Sequence, residues 1–205
     1  MFKIGLTGGL ATGKSTVLKL FRDTGAITID SDLVAQEIVR PHQGAWSEIY
    51  SEFGPEYFLP DMNIDRRRLK NLMFSDPTAR EKLNRIMHPK VKRIILEDLD
   101  RHLESKTDVP VIVDVPLLFE VGWQRIFDRT VLVYARPEIE LERLTKREGI
   151  NRGEAKEWLA SQIPIEEKLK LADYVVDNSG TLEQTRDQVM ALMDVFRSGK
   201  AAKED

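Results

Sequence analysis

Eight residues near the start of the chain restrict its fold more than any others. Gly8 to Ser15 reads G-x-x-x-x-G-K-S, with Lys3-Ile4-Gly5-Leu6-Thr7 as a short apolar strand before it and Thr16 to Arg22 as a helix after it. A glycine-rich turn between a strand and a helix leaves backbone N–H groups free to converge on phosphate oxygens. Gly8, Gly9 and Gly13 permit backbone angles and close approaches that a Cβ forbids. The cradle runs through Gly8, Gly9, Ala11, Thr12, Gly13, Lys14, Ser15 and Thr16. In such a cradle Lys14 reaches the terminal phosphates and the Ser15 hydroxyl holds Mg²⁺. The pattern points to ATP or GTP and leaves open what is done with it.

Composition removes several other chemistries. The 205 residues are enough for one good core with a small accessory lobe. Formal net charge is −3, with both signs evenly mixed, which argues against a nucleic-acid binder that relies on a global positive field. With no cysteine there is no disulfide, thiol catalysis or cysteine-ligated zinc, and three scattered histidines make a weak metal case. No apolar run approaches the ~20 residues of a membrane span. The chain leads straight into its first strand with no signal segment ahead of it, so a cytoplasmic, monomeric protein is the default expectation.

Further strands are expected at 26–29, 109–115, 129–134 and 173–177, each rich in β-branched residues. Ligands of parallel sheets bind beyond the carboxyl ends of strands. The second strand ends in Asp30-Ser31-Asp32, and a carboxylate there is placed to accept a proton from an attacking hydroxyl; Asp32 is favoured over Asp30, partly on the family resemblance given below. Asp114, ending the 109–115 strand, suits either water-mediated Mg²⁺ binding or a cap. Residues 41 to 106 read as helices without a strong strand, broken at His88-Pro89 into one helix before and one after. Within them the run Arg66-Arg67-Arg68 reads as a solvated face. Arg143, Lys146 and Arg147 share one helix face, which suits a lid whose arginines stabilise charge on a transferring group. Asn178 falls in a loop after the last strand, where a base has room to bind.

Several segments together resemble the dephospho-CoA kinase family across essentially the whole chain. They are GLTGGLATGKST at 5–16, IDSDLVAQEIV at 29–39, HP at 88–89, DVPLLFE at 114–120, KREGINRGEA at 146–155 and ADYVVDNSGT at 172–181. One departure is Ala11, where the family usually has glycine. The resemblance implies a P-loop, three-layer α/β/α fold with a five-stranded parallel sheet. It implies a single kinase unit: core 1–40, 107–139 and 171–197, a helical acceptor-binding insertion 41–106, a lid 140–170 and a tail 198–205. The reaction implied is transfer of the γ-phosphoryl group of ATP, with Mg²⁺, to the ribose 3′-hydroxyl of dephospho-CoA. Asp32 is then the base, Lys14 holds the β- and γ-phosphates, Arg147 with Arg143 covers the transferring group, and Asn178 lies against adenine. His88, Leu117, Leu118 and Phe119 would line the acceptor site. Rival readings are another small-molecule or nucleoside monophosphate kinase, and a nucleotide switch protein. The switch needs a guanine-reading N-K-x-D and a glycine three residues after Asp114, where Leu117 stands.

Overall fold

The computed structural model describes residues 2–104 and 108–198, with the backbone alone at Phe74. The expected insertion–core junction at 106–107 and the tail beyond residue 198 lie outside the described residues. The chain falls into two compact units, Met1–Asp30 with His102–Asp205, and Ser31–Arg101.

The first unit is built on β1 (Lys3–Gly8), β2 (Ile27–Asp30), β3 (Val111–Asp114), β4 (Arg129–Tyr134) and β5 (Tyr174–Asp177). They form one parallel sheet in the order β2-β3-β1-β4-β5. The expected strands are all present and differ only at their ends. The first strand of the sequence therefore sits in the middle of the sheet, with Ile4 opposite Ile112 on one side and Arg129 on the other. Burial on both faces requires a continuous apolar run, and all four residues of β3 are buried.

Helices cover the sheet in a three-layer α/β/α arrangement: α1 (Lys14–Asp23), then, in chain order after the second unit's four helices, α6 (Pro137–Glu148), α7 (Arg152–Ala160), α8 (Ile165–Leu171) and α9 (Leu182–Arg197). Side chains alternate across a strand, so Ile4 and Leu6 share one face of β1. There they join Ile112, Val131, Val133 and Val176 in a core closed by Val17, Leu18 and Phe21 of α1 and Val189, Met193 and Phe196 of α9. Thr181 starts α9 with a capping box, its hydroxyl accepting from the Gln184 N–H while the Gln184 side chain accepts from the Thr181 N–H.

The second unit is helical: α2 (Ser31–Ile38), α3 (Trp46–Phe53), α4 (Arg66–Ser75) and α5 (Pro77–Glu104), the last of which belongs to it through Arg101. Trp46 stacks on Tyr50 at 5.4 Å and meets Phe58 edge-on at 5.5 Å, while its indole N–H donates to the Met62 carbonyl at 2.8 Å. Asp65 caps α4 by accepting from the Arg68 N–H at 3.0 Å.

The expected break at His88-Pro89 does not occur: α5 is one 28-residue helix with Pro89 inside it. A proline in a helix interior removes a hydrogen bond and costs about 3 kcal/mol. Packing on both sides of the proline outweighs this. Ala79 before the proline and Val91, Ile95 and Leu99 after it are buried. Lys82 and Lys90, on either side of the break point, pair with Glu52 and Glu48 of α3 at 2.8 and 2.7 Å. Among the described residues no helix is long and apolar enough to cross a membrane.

Candidate active site

The phosphate loop joins β1 to α1. Gly13 caps the helix in the left-handed region at φ 87°, and the Thr16 and Val17 N–H groups donate to its carbonyl at 3.0 and 3.2 Å. A side chain is excluded there twice over, because a Cβ would strike the Asn178 amide nitrogen as well as strain the backbone. Thr12, before it, is fully buried. Its hydroxyl donates to the Gly9 carbonyl at 3.1 Å, and its own carbonyl accepts from Asn178 Nδ2 at 2.7 Å and Arg143 Nη1 at 3.3 Å. Asn178 is held in turn by the Thr185 hydroxyl, which donates to Oδ1 at 2.9 Å, and by Arg143 Nη2, which donates to its carbonyl at 3.0 Å. Asn178 and Arg143 thus hold the Thr12 carbonyl just ahead of α1, and the N-terminus of a helix favours an anion. Ala11 adopts φ 59°, a conformation that costs a residue with a Cβ about 1–2 kcal/mol.

Lys14 forms an ion pair with Asp114, and both side chains are largely buried. Asp114 ends β3 and stands in register with Leu6 of β1 and Asp30 of β2. Two carboxylates thus lie side by side at the carboxyl edge of the sheet, with Lys14 on one of them. The Ser15 and Thr16 side chains, in the first turn of α1, are exposed.

Three further charged groups surround the start of the loop, and none was expected from the sequence. Lys168 of α8 is fully buried; its Nζ lies 2.7 Å from Glu120 Oε1 and 3.5 Å from the Gly8 carbonyl. Glu140 of α6 is buried, and its Oε1 has no hydrogen-bond partner among the described residues. Gly9 faces it so closely that a Cβ there would strike its carboxylate. Burial, then the Glu166 charge, push the Glu140 carboxyl up from 4.5 to about 7, with Lys168 opposing them.

The helix face read as a lid divides. Arg143 reaches the loop, whereas Arg147 is exposed and pairs with Glu148 at 2.8 Å. In DVPLLFE, Leu118 and Phe119 are buried and Leu117 is exposed. His88 is half-buried in α5, and burial lowers its pKa below 6.5, so the imidazole is neutral at pH 7.

In the second unit, Asp32 opens α2 and lines a cavity of about 380 Å³ together with Gln36, Arg66 and Lys70. Val39, Ile49 and Leu69 supply part of its apolar wall. The run Arg66-Arg67-Arg68 is therefore only partly the solvated face expected of it. Arg66 turns to the cavity, while Arg68 bonds the Glu56 carbonyl at 2.7 Å. The spacing of Arg66 and Lys70, four residues apart on one helix, is the signal that sequence reading passed over.

Residues 2–184 match the family described as dephospho-CoA kinase. The chain belongs to the dephospho-CoA kinase family. A dephospho-CoA kinase from Geobacter metallireducens is 45% identical over 193 residues, covering 94% of this chain and 95% of that protein. A structure of TT1252 from Thermus thermophilus superposes with a TM-score of 0.79 at 34% identity, covering 93% of this chain and 95% of that one. That of the dephospho-CoA kinase from Campylobacter jejuni gives 0.73 at 28% identity, over 97% and 98% of the two chains. The chain is thus an ATP-using kinase that carries out the final step of coenzyme A synthesis. The P-loop α/β/α fold expected of a dephospho-CoA kinase is the one observed.

Proposed function

We propose that this kinase places the 3′-hydroxyl of dephospho-CoA in line with the γ-phosphate of ATP, with Asp32 accepting the hydroxyl proton. The observation that carries the reading is the cavity that Asp32 lines. It is largely apolar and bears one carboxylate and two cations, Arg66 and Lys70. Such a lining suits an acceptor that combines a long apolar arm with a diphosphate, and it supplies a base at one edge.

At the phosphate loop, Lys14 exchanges Asp114 for the β- and γ-phosphates when ATP enters. The loop N–H groups from Gly13 to Thr16 complete the cradle. Hard oxygen donors suit Mg²⁺, and the exposed Ser15 hydroxyl and Asp114 are such donors. Ser15 would hold the ion, and Asp114, once released by Lys14, would bind it through water. When bound, Mg²⁺ neutralises charge on the β- and γ-oxygens. Arg143, anchored at the loop, and Arg147, released from Glu148, act from a lid over residues 140–170 to cover the transferring group and exclude water. Asn178 and its loop border the adenine. Neutral His88, with Leu117, Leu118 and Phe119, belongs to the acceptor side.

Little covalent chemistry falls to the protein in such a transfer, so positioning and charge neutralisation carry most of the rate. The test is ADP production from ATP and Mg²⁺ with dephospho-CoA, adenosine monophosphate, uridine monophosphate or shikimate as acceptor. Stimulation by dephospho-CoA alone, with coenzyme A as product, is the expected result. Stimulation by a monophosphate or shikimate instead would overturn the reading of the Asp32 cavity.

A further inference from the structure

Lysine is almost never fully buried unless paired, and Lys168 is fully buried. Its partner, Glu120, is the last residue of DVPLLFE. Glu120 Oε1 accepts from Lys168 Nζ at 2.7 Å and from the Ile163 N–H at 3.3 Å, so one carboxylate oxygen holds the chain entering α8 and a side chain within it. The ammonium group has a second contact, the Gly8 carbonyl at 3.5 Å. That carbonyl belongs to the same planar peptide unit as the Gly9 N–H, and fixing one end of a planar unit fixes the other. The same peptide is flanked by Glu140 of α6, whose carboxylate occupies the space a Gly9 side chain would need. The point where the chain leaves β1 and becomes the phosphate loop is thereby bonded by Lys168 of α8 and hemmed in by Glu140 of α6.

We propose that Lys168, backed by Glu120, is a positioning residue for ATP: from α8 it fixes the Gly8–Gly9 peptide, and through it the loop that receives the phosphates. The pair touches no substrate atom. It sets loop geometry, so its loss weakens use of ATP and leaves the acceptor side untouched.

A purely structural ion pair predicts something different, and paired substitution separates the two. Lys168→Met leaves the partly buried Glu120 without its cation, which destabilises the fold. Glu120→Gln/Lys168→Met removes both charges, conserves volume and keeps an acceptor for the Ile163 N–H. The double variant is expected to recover the melting temperature lost by the single one. It should still show kcat/KM for ATP reduced at least ~10-fold, with the KM for dephospho-CoA within ~2-fold of wild type. Lys168→Arg, which keeps a charged donor, should stay within ~3-fold of wild type for ATP. Recovery of ATP kinetics along with melting temperature would overturn the proposal. So would equal losses for both substrates.

A measurement on the unaltered protein stands beside these variants. Amide exchange with a non-hydrolysable ATP analogue and Mg²⁺ should protect residues 8–13 and 163–171 together, with one midpoint. Dephospho-CoA alone should protect neither. A response in the loop without one in 163–171 would overturn the coupling, even if every variant failed to fold.

Discussion

Around the phosphate loop the chain is held from far away. The Thr12 carbonyl is gripped by Arg143 and Asn178, 131 and 166 residues distant in sequence, and Lys14 by Asp114, 100 residues distant. Around the Asp32 cavity the walls come from neighbours: every lining residue lies between Asp32 and Met87, on consecutive helices and the turns that join them. The difference follows from what each region recognises. A triphosphate is the same in every kinase, and backbone N–H groups bind it well only when the backbone is rigid. The loop's carbonyls and glycines are therefore fixed by long-range bonds. An acceptor is particular to its enzyme and is read by side chains. Those need only a local scaffold, and they vary without disturbing the sheet.

If that division holds, substitutions on the two sides should separate in their kinetic signatures. The largest effect is expected from Asp32→Asn. Loss of the base should lower kcat by at least ~10²-fold. ATP affinity, read by nucleotide titration, should be unchanged, and near-normal turnover would remove Asp32 from the chemistry. Asn178→Ala comes next. It leaves the Thr185 hydroxyl with the Thr181 carbonyl alone and the Thr12 carbonyl with Arg143 alone. It should cost about 1–3 kcal/mol in denaturant unfolding and raise the KM for ATP while sparing that for the acceptor. Lys70→Met should do the reverse, raising the KM for dephospho-CoA ~10-fold, the loss of one charge-assisted contact, with ATP unaffected. Equal changes for both substrates in either variant would break the comparison.

The smallest effect is a dependence on pH. Glu140 has a folded pKa of about 7 against an ordinary 4.5, so between these values the folded state keeps a proton that the unfolded state has released. Burial of Glu140 is thus harmless below about pH 4.5. It becomes more destabilising as pH rises to about 7 and stays constant above that. Glu140→Gln should stabilise the protein by ~1–2 kcal/mol at pH 8 and by nothing near pH 4. Thermal unfolding at the two pH values checks this, and equal shifts at both would refute it.

The same contrast governs what was legible in the sequence. Short runs of apolar and β-branched residues marked all five strands, and G-x-x-x-x-G-K-S marked the loop, because both signals are local. Pro89 misled because its local cost is outweighed by ion pairs and packing that only the folded chain supplies. Lys168 and Glu120 were illegible for the related reason that nothing within a few residues of either announces a partner. The Asn178 side chain was placed in the right loop, but its bond to Thr12 spans nearly the whole chain. Arg66 hid inside a run of three arginines, where only its spacing from Lys70 distinguished it.

The central position of β1 has a consequence for synthesis. Its neighbours in the sheet begin at Val111 and Arg129, and the amide that holds Thr12 belongs to residue 178. The phosphate loop leaves the ribosome long before the residues that complete it. At ordinary elongation rates the interval from residue 16 to residue 178 is roughly 10–30 s. Through that interval β1 is an apolar strand without its neighbours, and the nascent chain has no finished site for a nucleotide that could stabilise it. Chaperone occupancy and ribosome pausing on this protein should therefore centre on the stretch before β5 emerges, rather than on the loop's own codons.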